Sequence, residues 1–181
     1  MKLLLSAFVA LLLAVAPNFA HAADIATIDC IANELPAPAR AAFVEAGRRS
    51  ALGDRSDPAS FEAALDPYRA ALRLCAARHK WSEKAADAAN TYTISSFVLE
   101  GTLIEATPEG ITAGVIETAL AKLSPQDRAR LLDGDGDFMP LIDALVEDGF
   151  ELKQGNQATL VGAVTGSMLM RDQARALFIA S

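Results

Sequence analysis

Apolar side chains along residues 23–181 recur at spacings of three and four, the period of helices with one buried face. Near the start, Ile25, Ile28, Ile31 and Leu35 form such a stripe, with Cys30 and Asp29 beside it, before Pro36 and Pro38 end the helix. A second helix is expected from Ala39 to Leu52, stopped by Gly53. In DPYRAALRLCAARHKW the residues Tyr68, Leu72, Cys75 and His79 share one face, which places Cys75 in the buried stripe of a third helix.

Helix starts are marked by Asp, Ser or Thr followed by proline, a capping side chain before a residue whose missing N–H costs nothing in the first turn. Asp57-Pro58, Asp66-Pro67, Thr107-Pro108 and Ser124-Pro125 fit this pattern. The segment SEKAADAANTYTISSFVLEGTLIEA is apolar over much of its circumference and is expected to be the central helix. Its β-branched cluster, within residues 91–99, also resembles a buried strand. Helix is the better reading, because the chain offers no convincing partner strand and a lone strand leaves its backbone groups unsatisfied. Two helical segments carry glycines four apart, Gly110 with Gly114 and Gly162 with Gly166. Each glycine costs a helix about 1 kcal/mol against alanine. The repeat therefore predicts close backbone approach, and Gly162→Leu should then be strongly destabilising.

Together these patterns predict an all-α, single-domain helical bundle of six to eight helices over residues 23–181. The residues before it, MKLLLSAFVALLLAVAPNFAHA, read differently: one charge at Lys2, an apolar run from Leu3 to Ala16, Pro17, then the small-residue pattern Ala20-His21-Ala22. This is the pattern of a secretory signal peptide over residues 1–22, cleaved after Ala22. The run is too short for a membrane anchor, which needs roughly 20 apolar residues. The mature chain is thus expected to be periplasmic or secreted, without a transmembrane segment. In such a compartment thiols are oxidised, so its two cysteines, Cys30 and Cys75, are expected to form a disulfide tying the first helix to the third.

Charge narrows the partners. Without Lys2 the mature chain carries 15 Lys and Arg against 23 Asp and Glu, a formal charge of 15 − 23 = −8, which argues against nucleic acid. Residues 100–151 hold 12 acids and only three bases, Lys122, Arg128 and Arg130, so part of the surface is strongly negative. The basic run Arg69, Arg73, Arg78, Lys80 and Lys84 makes the outer face of the third helix positive, a solvated face or a site for an anionic partner.

Candidate chemistry is sparse. DGDGDF places Asp133, Asp135 and Asp137 where a calcium loop begins, but Phe138 stands where that loop needs glycine and Ala144 where it needs a bidentate glutamate. The register starting at Asp135 meets Pro140 and Val146 at those positions. A structural turn accounts for the same residues: Gly134 ends the helix PQDRARLLD, Gly136 turns, and Asp137 caps FMPLIDALVED. Cys30, Cys75 and His79 offer a soft-metal trio if the cysteines are reduced. Glu100, Glu105 and Glu117 lie in apolar helices, where a general acid and base pair is conceivable, although the first two are five apart and turn to different faces. No CxxCH, GxSxG, HExxH or glycine-rich phosphate loop occurs. The leading expectation is a non-enzymatic exported protein, with no cofactor, that binds a protein or small molecule. The alternatives are a periplasmic metal-binding protein, using Asp133–Asp137 or Cys30/Cys75/His79, and an envelope hydrolase of unfamiliar type.

Overall fold

A computed structural model describes residues 23–54, 59–132, 138–151 and 156–181. Among these residues there are eight α-helices and no strand: α1 (Cys30–Glu34), α2 (Ala37–Ala51), α3 (Ala59–His79), α4 (Glu83–Ala106), α5 (Ala113–Lys122), α6 (Pro125–Leu132), α7 (Met139–Glu147) and α8 (Gln157–Ile179). Short 3-10 turns at Ile25–Thr27 and Thr107–Glu109 precede α1 and follow α4. The chain is an all-α bundle, as the apolar period implies.

The central helix is helical throughout, residues 91–99 included. Its β-branched and hydroxyl residues are accommodated by bonding backwards: Thr91 Oγ1 donates to Asp87 O at 3.1 Å, Thr93 to Ala89 O at 2.8 Å, Ser96 Oγ to Tyr92 O at 2.8 Å and Thr102 to Val98 O at 2.8 Å. These i−4 bonds let hydroxyls be buried without an unmet donor. Ser82 caps the helix, its Oγ accepting from Ala85 N at 3.0 Å.

Two of the expected starts are not starts. Pro67 lies inside α3, which runs unbroken through it. A proline there removes one backbone donor, but Ala64, Tyr68, Ala71 and Cys75 are all buried on one stripe spanning it. That shared packing outweighs the local break. At Thr107-Pro108 the chain is leaving α4: Thr107 is the C-cap of α4, and Gly110 closes the following turn at φ 81°. The cap of α5 is Thr112, whose Oγ1 accepts from Val115 N at 3.3 Å. Ser124 caps α6 as expected, accepting from Asp127 N at 3.1 Å and donating to Asp127 Oδ2 at 2.6 Å. Asp57-Pro58, and the turn residues Asp133 to Asp137 with their expected caps, lie outside the described residues, as does the segment 1–22.

The glycine expectation fails. Gly110 sits in a turn and not on a helix face with Gly114. At Gly114, Gly162 and Gly166 nothing lies within 4 Å of where a Cβ would stand. The close approach is elsewhere, between α2 and α4: a Cβ on Gly47 would stand 2.7 Å from Val98 Cα, and one on Gly101 would overlap Val44 O and stand 2.5 Å from Arg48 N.

Helices α4 and α8 form the antiparallel spine, and each half of it serves a different core. The first half of α4, through Ala85, Ala88, Ala89 and Phe97, packs with α1, α2, α3 and Phe178 near the end of α8. The second half, through Leu99 and Ala106, packs with Leu160, Val161, Val164 and Met168 of α8 and with α5, α6 and α7. Cys30 and Cys75 are disulfide-bonded with their Cα atoms 5.9 Å apart, so α1 is stapled to α3 within the first core. Among the described residues no helix is long and apolar enough to cross a membrane.

Candidate functional site

Aromatic residues converge where α2, α3 and α4 meet. Phe43 of α2 is at the centre, with ring centroids 5.1 Å from Phe61, 4.8 Å from Tyr68 and 5.8 Å from Phe97. Their edges, with Leu65, Ile94 and Val98, enclose an open pocket of about 260 Å³, floored on the α2 side by Ala46, Gly47 and Ser50. Helices α2 and α4 touch backbone to backbone at Gly47 and Gly101, and Phe61, Leu65 and Tyr68 of α3 line the other side of the pocket.

The pocket is almost wholly apolar. Tyr68, which lines it, donates its hydroxyl to Asn90 Oδ1 at 2.7 Å, so the phenol is already satisfied within the protein. Burial pushes the Tyr68 pKa above the ordinary tyrosine range, so the group stays neutral. Among the described residues of the wall, Ser50 is the one polar side chain left uncommitted. Charges stay outside, on the α2–α4 seam. Arg48 donates Nε and Nη2 to Glu45, each at 2.7 Å, and Nη1 to Glu105 at 2.6 Å. These carboxylates raise the Arg48 pKa, and the hydrogen bonds from Arg48 lower that of Glu45. Arg40 bonds Glu100 at 2.9 Å and stands 5.9 Å from the Phe97 ring centroid.

A second concavity, a groove of about 530 Å³, runs between the first turns of α4 and the last turns of α8. Its floor is built from Ala88 and Ala174, and its rims carry Lys84, Asp87, Thr91, Met170 and Leu177.

The residues singled out by sequence fall into place as follows. Cys30 and Cys75 bond each other, so the soft-metal trio with His79 loses both sulfur ligands and that reading is overturned. His79 stacks on Trp81 at 5.7 Å, and Trp81 Nε1 donates to Thr27 Oγ1 at 3.0 Å. Glu100 and Glu105 are held by separate arginines, and Glu117 is exposed on α5, so the three do not meet. Of the basic run, Arg69 pairs with Asp66 at 3.2 Å and Arg78 with Glu34 at 2.5 Å, while Arg73, Lys80 and Lys84 are exposed. Among the described residues no cluster of three His, Cys, Asp or Glu side chains is placed to hold a metal. The Asp133 to Asp137 turn lies outside them.

The aromatic pocket was missed because its residues come from three helices and no spacing links Phe43, Phe61 and Phe97. The available signal was compositional: these aromatics and Tyr68 all fall between residues 43 and 97. Comparison with family models, curated proteins and solved structures found no match.

Proposed function

We propose that this is an exported, non-enzymatic binding protein that takes a small, uncharged, apolar molecule in the aromatic pocket. The observation that carries the reading is the pocket wall: four aromatic rings and aliphatic side chains surround a volume of about 260 Å³, with the one phenol turned away onto Asn90. Such a surface gains from displacing water by apolar atoms and offers no charge to orient a polar substrate. A catalytic role draws no support from the wall, since among its described residues Ser50 has no general base beside it and Tyr68 is held protonated. Export is supported by the leader-like residues 1–22 and by the disulfide, a bond that persists in oxidising compartments.

Naphthalene and indole test the pocket as neutral probes, with octanoate as a charged apolar control. The neutral probes should raise the melting temperature and shift the Tyr68 and Phe43 ring resonances. Octanoate should do neither, because Arg40, which stands 5.9 Å from the Phe97 ring, is committed to Glu100, and Arg48, beside Gly47, is committed to Glu45 and Glu105. Ala46→Phe, which fills the pocket from α2, should abolish both effects while leaving helix content unchanged. The single tryptophan, Trp81, is not part of the pocket wall, so its emission, read before either probe is added, checks the fold of the variant. Absence of binding by both neutral probes would remove the proposal.

A further inference from the structure

On α2 the wall of the aromatic pocket follows the helical period. Phe43, Ala46, Gly47 and Ser50 share one face, and Phe43 and Ser50 are two turns apart, about 10 Å along the axis at 1.5 Å per residue. Phe43 is buried among the other rings whereas Ser50 is exposed, so this wall runs from an apolar interior to a single hydroxyl at the mouth. That hydroxyl bonds no group among the described residues. The hydroxyls of Thr91, Ser96 and Thr118, also on helices, donate instead to the carbonyl four residues back.

We propose that the ligand of this pocket is a neutral aromatic molecule of one or two rings carrying a single N–H or O–H group, and that Ser50 selects for that group. The inference rests on the apolar-pocket reading above and adds polarity and orientation to it. Size limits the rings, since about 260 Å³ falls below the roughly 300–1,000 Å³ of sites for drug-sized molecules. The ring body lies against Phe43 and its neighbours, where stacked and edge-on contacts are made, and the polar group points along α2 to the mouth. A donor suits that end better than an anion. Ser50 lies in the last turn of α2, the negative end of the helix dipole, and its oxygen accepts a hydrogen bond there. The cations of the same turn are already engaged, Arg48 with Glu45 and Glu105 and Arg49 with Asp54, so a carboxylate finds no open charge beside Ser50.

Indole and indene test the selection, because they share one bicyclic shape and differ by an N–H where indene has carbon. Their dissociation constants are read from titrations followed by the Phe43 and Tyr68 ring resonances, in the wild-type protein and in Ser50→Ala. Ser50 is exposed, so the substitution should leave Trp81 emission before titration unchanged. Each ligand's cost of leaving water is the same with both proteins, so the change in the ratio of the two constants isolates the hydroxyl. Ser50→Ala should weaken indole by roughly two- to tenfold, the net worth of one hydrogen bond, and leave indene unchanged. If both ligands bind but the ratio stays the same or moves the other way, selection by Ser50 is overturned while the apolar pocket stands. If neither ligand binds the wild-type protein, the pocket reading falls and this inference falls with it.

Discussion

Glycine has opposite meanings at two sites on the long helices, and the difference is a single missing methyl group. At Gly101 a Cβ would press into the backbone of α2, at Val44 O and Arg48 N, and backbone cannot rotate out of the way as a side chain tip can. Gly101→Ala must therefore push α2 from α4, opening the seam that Arg48 clamps to Glu105. Overpacking of this kind typically costs about 1–3 kcal/mol. At Gly166 on α8 nothing stands within 4 Å of the same position. There alanine only relieves the backbone entropy of glycine, and Gly166→Ala should stabilise by up to about 1 kcal/mol. Urea denaturation of the two variants should move the midpoint in opposite directions. A loss of stability in Gly166→Ala matching that of Gly101→Ala would show that α8 has a backbone contact comparable to the α2–α4 seam.

Among the elements, α1 depends most on a covalent tie. It has only five residues, too few to be stable alone, and lies on α3 through Cys30 and Cys75. The disulfide closes a separation of 45 residues. Replacing both cysteines by alanine should cost about 2–4 kcal/mol, chiefly by freeing the unfolded chain. Hydrogen exchange should then speed up most in residues 25–35, which also open locally once the tie is gone, and by the smaller factor of the global loss in α5 and α7 of the other core. Acceleration no greater in residues 25–35 than in α5 and α7 would show that the disulfide holds α1 no more than it holds the whole fold. The tie was legible in the sequence, since two cysteines, one on a buried stripe, allow a single pairing within the chain. So were α2, α4 and the Ser124 cap of α6, where period and capping chemistry agree with the tertiary environment. Pro67 was misread because its local preference to begin a helix competes with a buried stripe that continues on both sides of it, and only packing decides between them. Thr107-Pro108 was misread because a cap pair also fits the end of a preceding helix. The glycines and the aromatic pocket were illegible for one common reason: each depends on which helix faces which, a property that periodicity within one segment does not contain.

For the whole molecule, the spine decides whether two cores behave as one. Helices α4 and α8, of 24 and 23 residues, each extend about 35 Å at 1.5 Å per residue, enough to run through both cores. Loosening one core therefore disturbs helices that the other also needs. Leu160, fully buried on α8 in the second core, and Trp81, packed edge-on to Phe178 in the first, allow this coupling to be measured. Leu160→Ala leaves a cavity among Ile116, Leu141 and their neighbours in that second cluster and should cost about 2–5 kcal/mol. If the spine joins the cores, Trp81 emission will report the full loss although the cavity is in the other cluster, and its urea transition will coincide with that of far-ultraviolet circular dichroism. A Trp81 transition that stays at its original midpoint while circular dichroism splits into two steps would mean that each half unfolds alone. In that event α4 would have to break between Phe97 and Leu99, where its contacts pass from the first core to the second. Coincidence is the expected outcome because Phe97 and Leu99, on either side of that point, are both buried in one unbroken helix, and breaking it would give up helical hydrogen bonds and expose apolar side chains that the two cores bury.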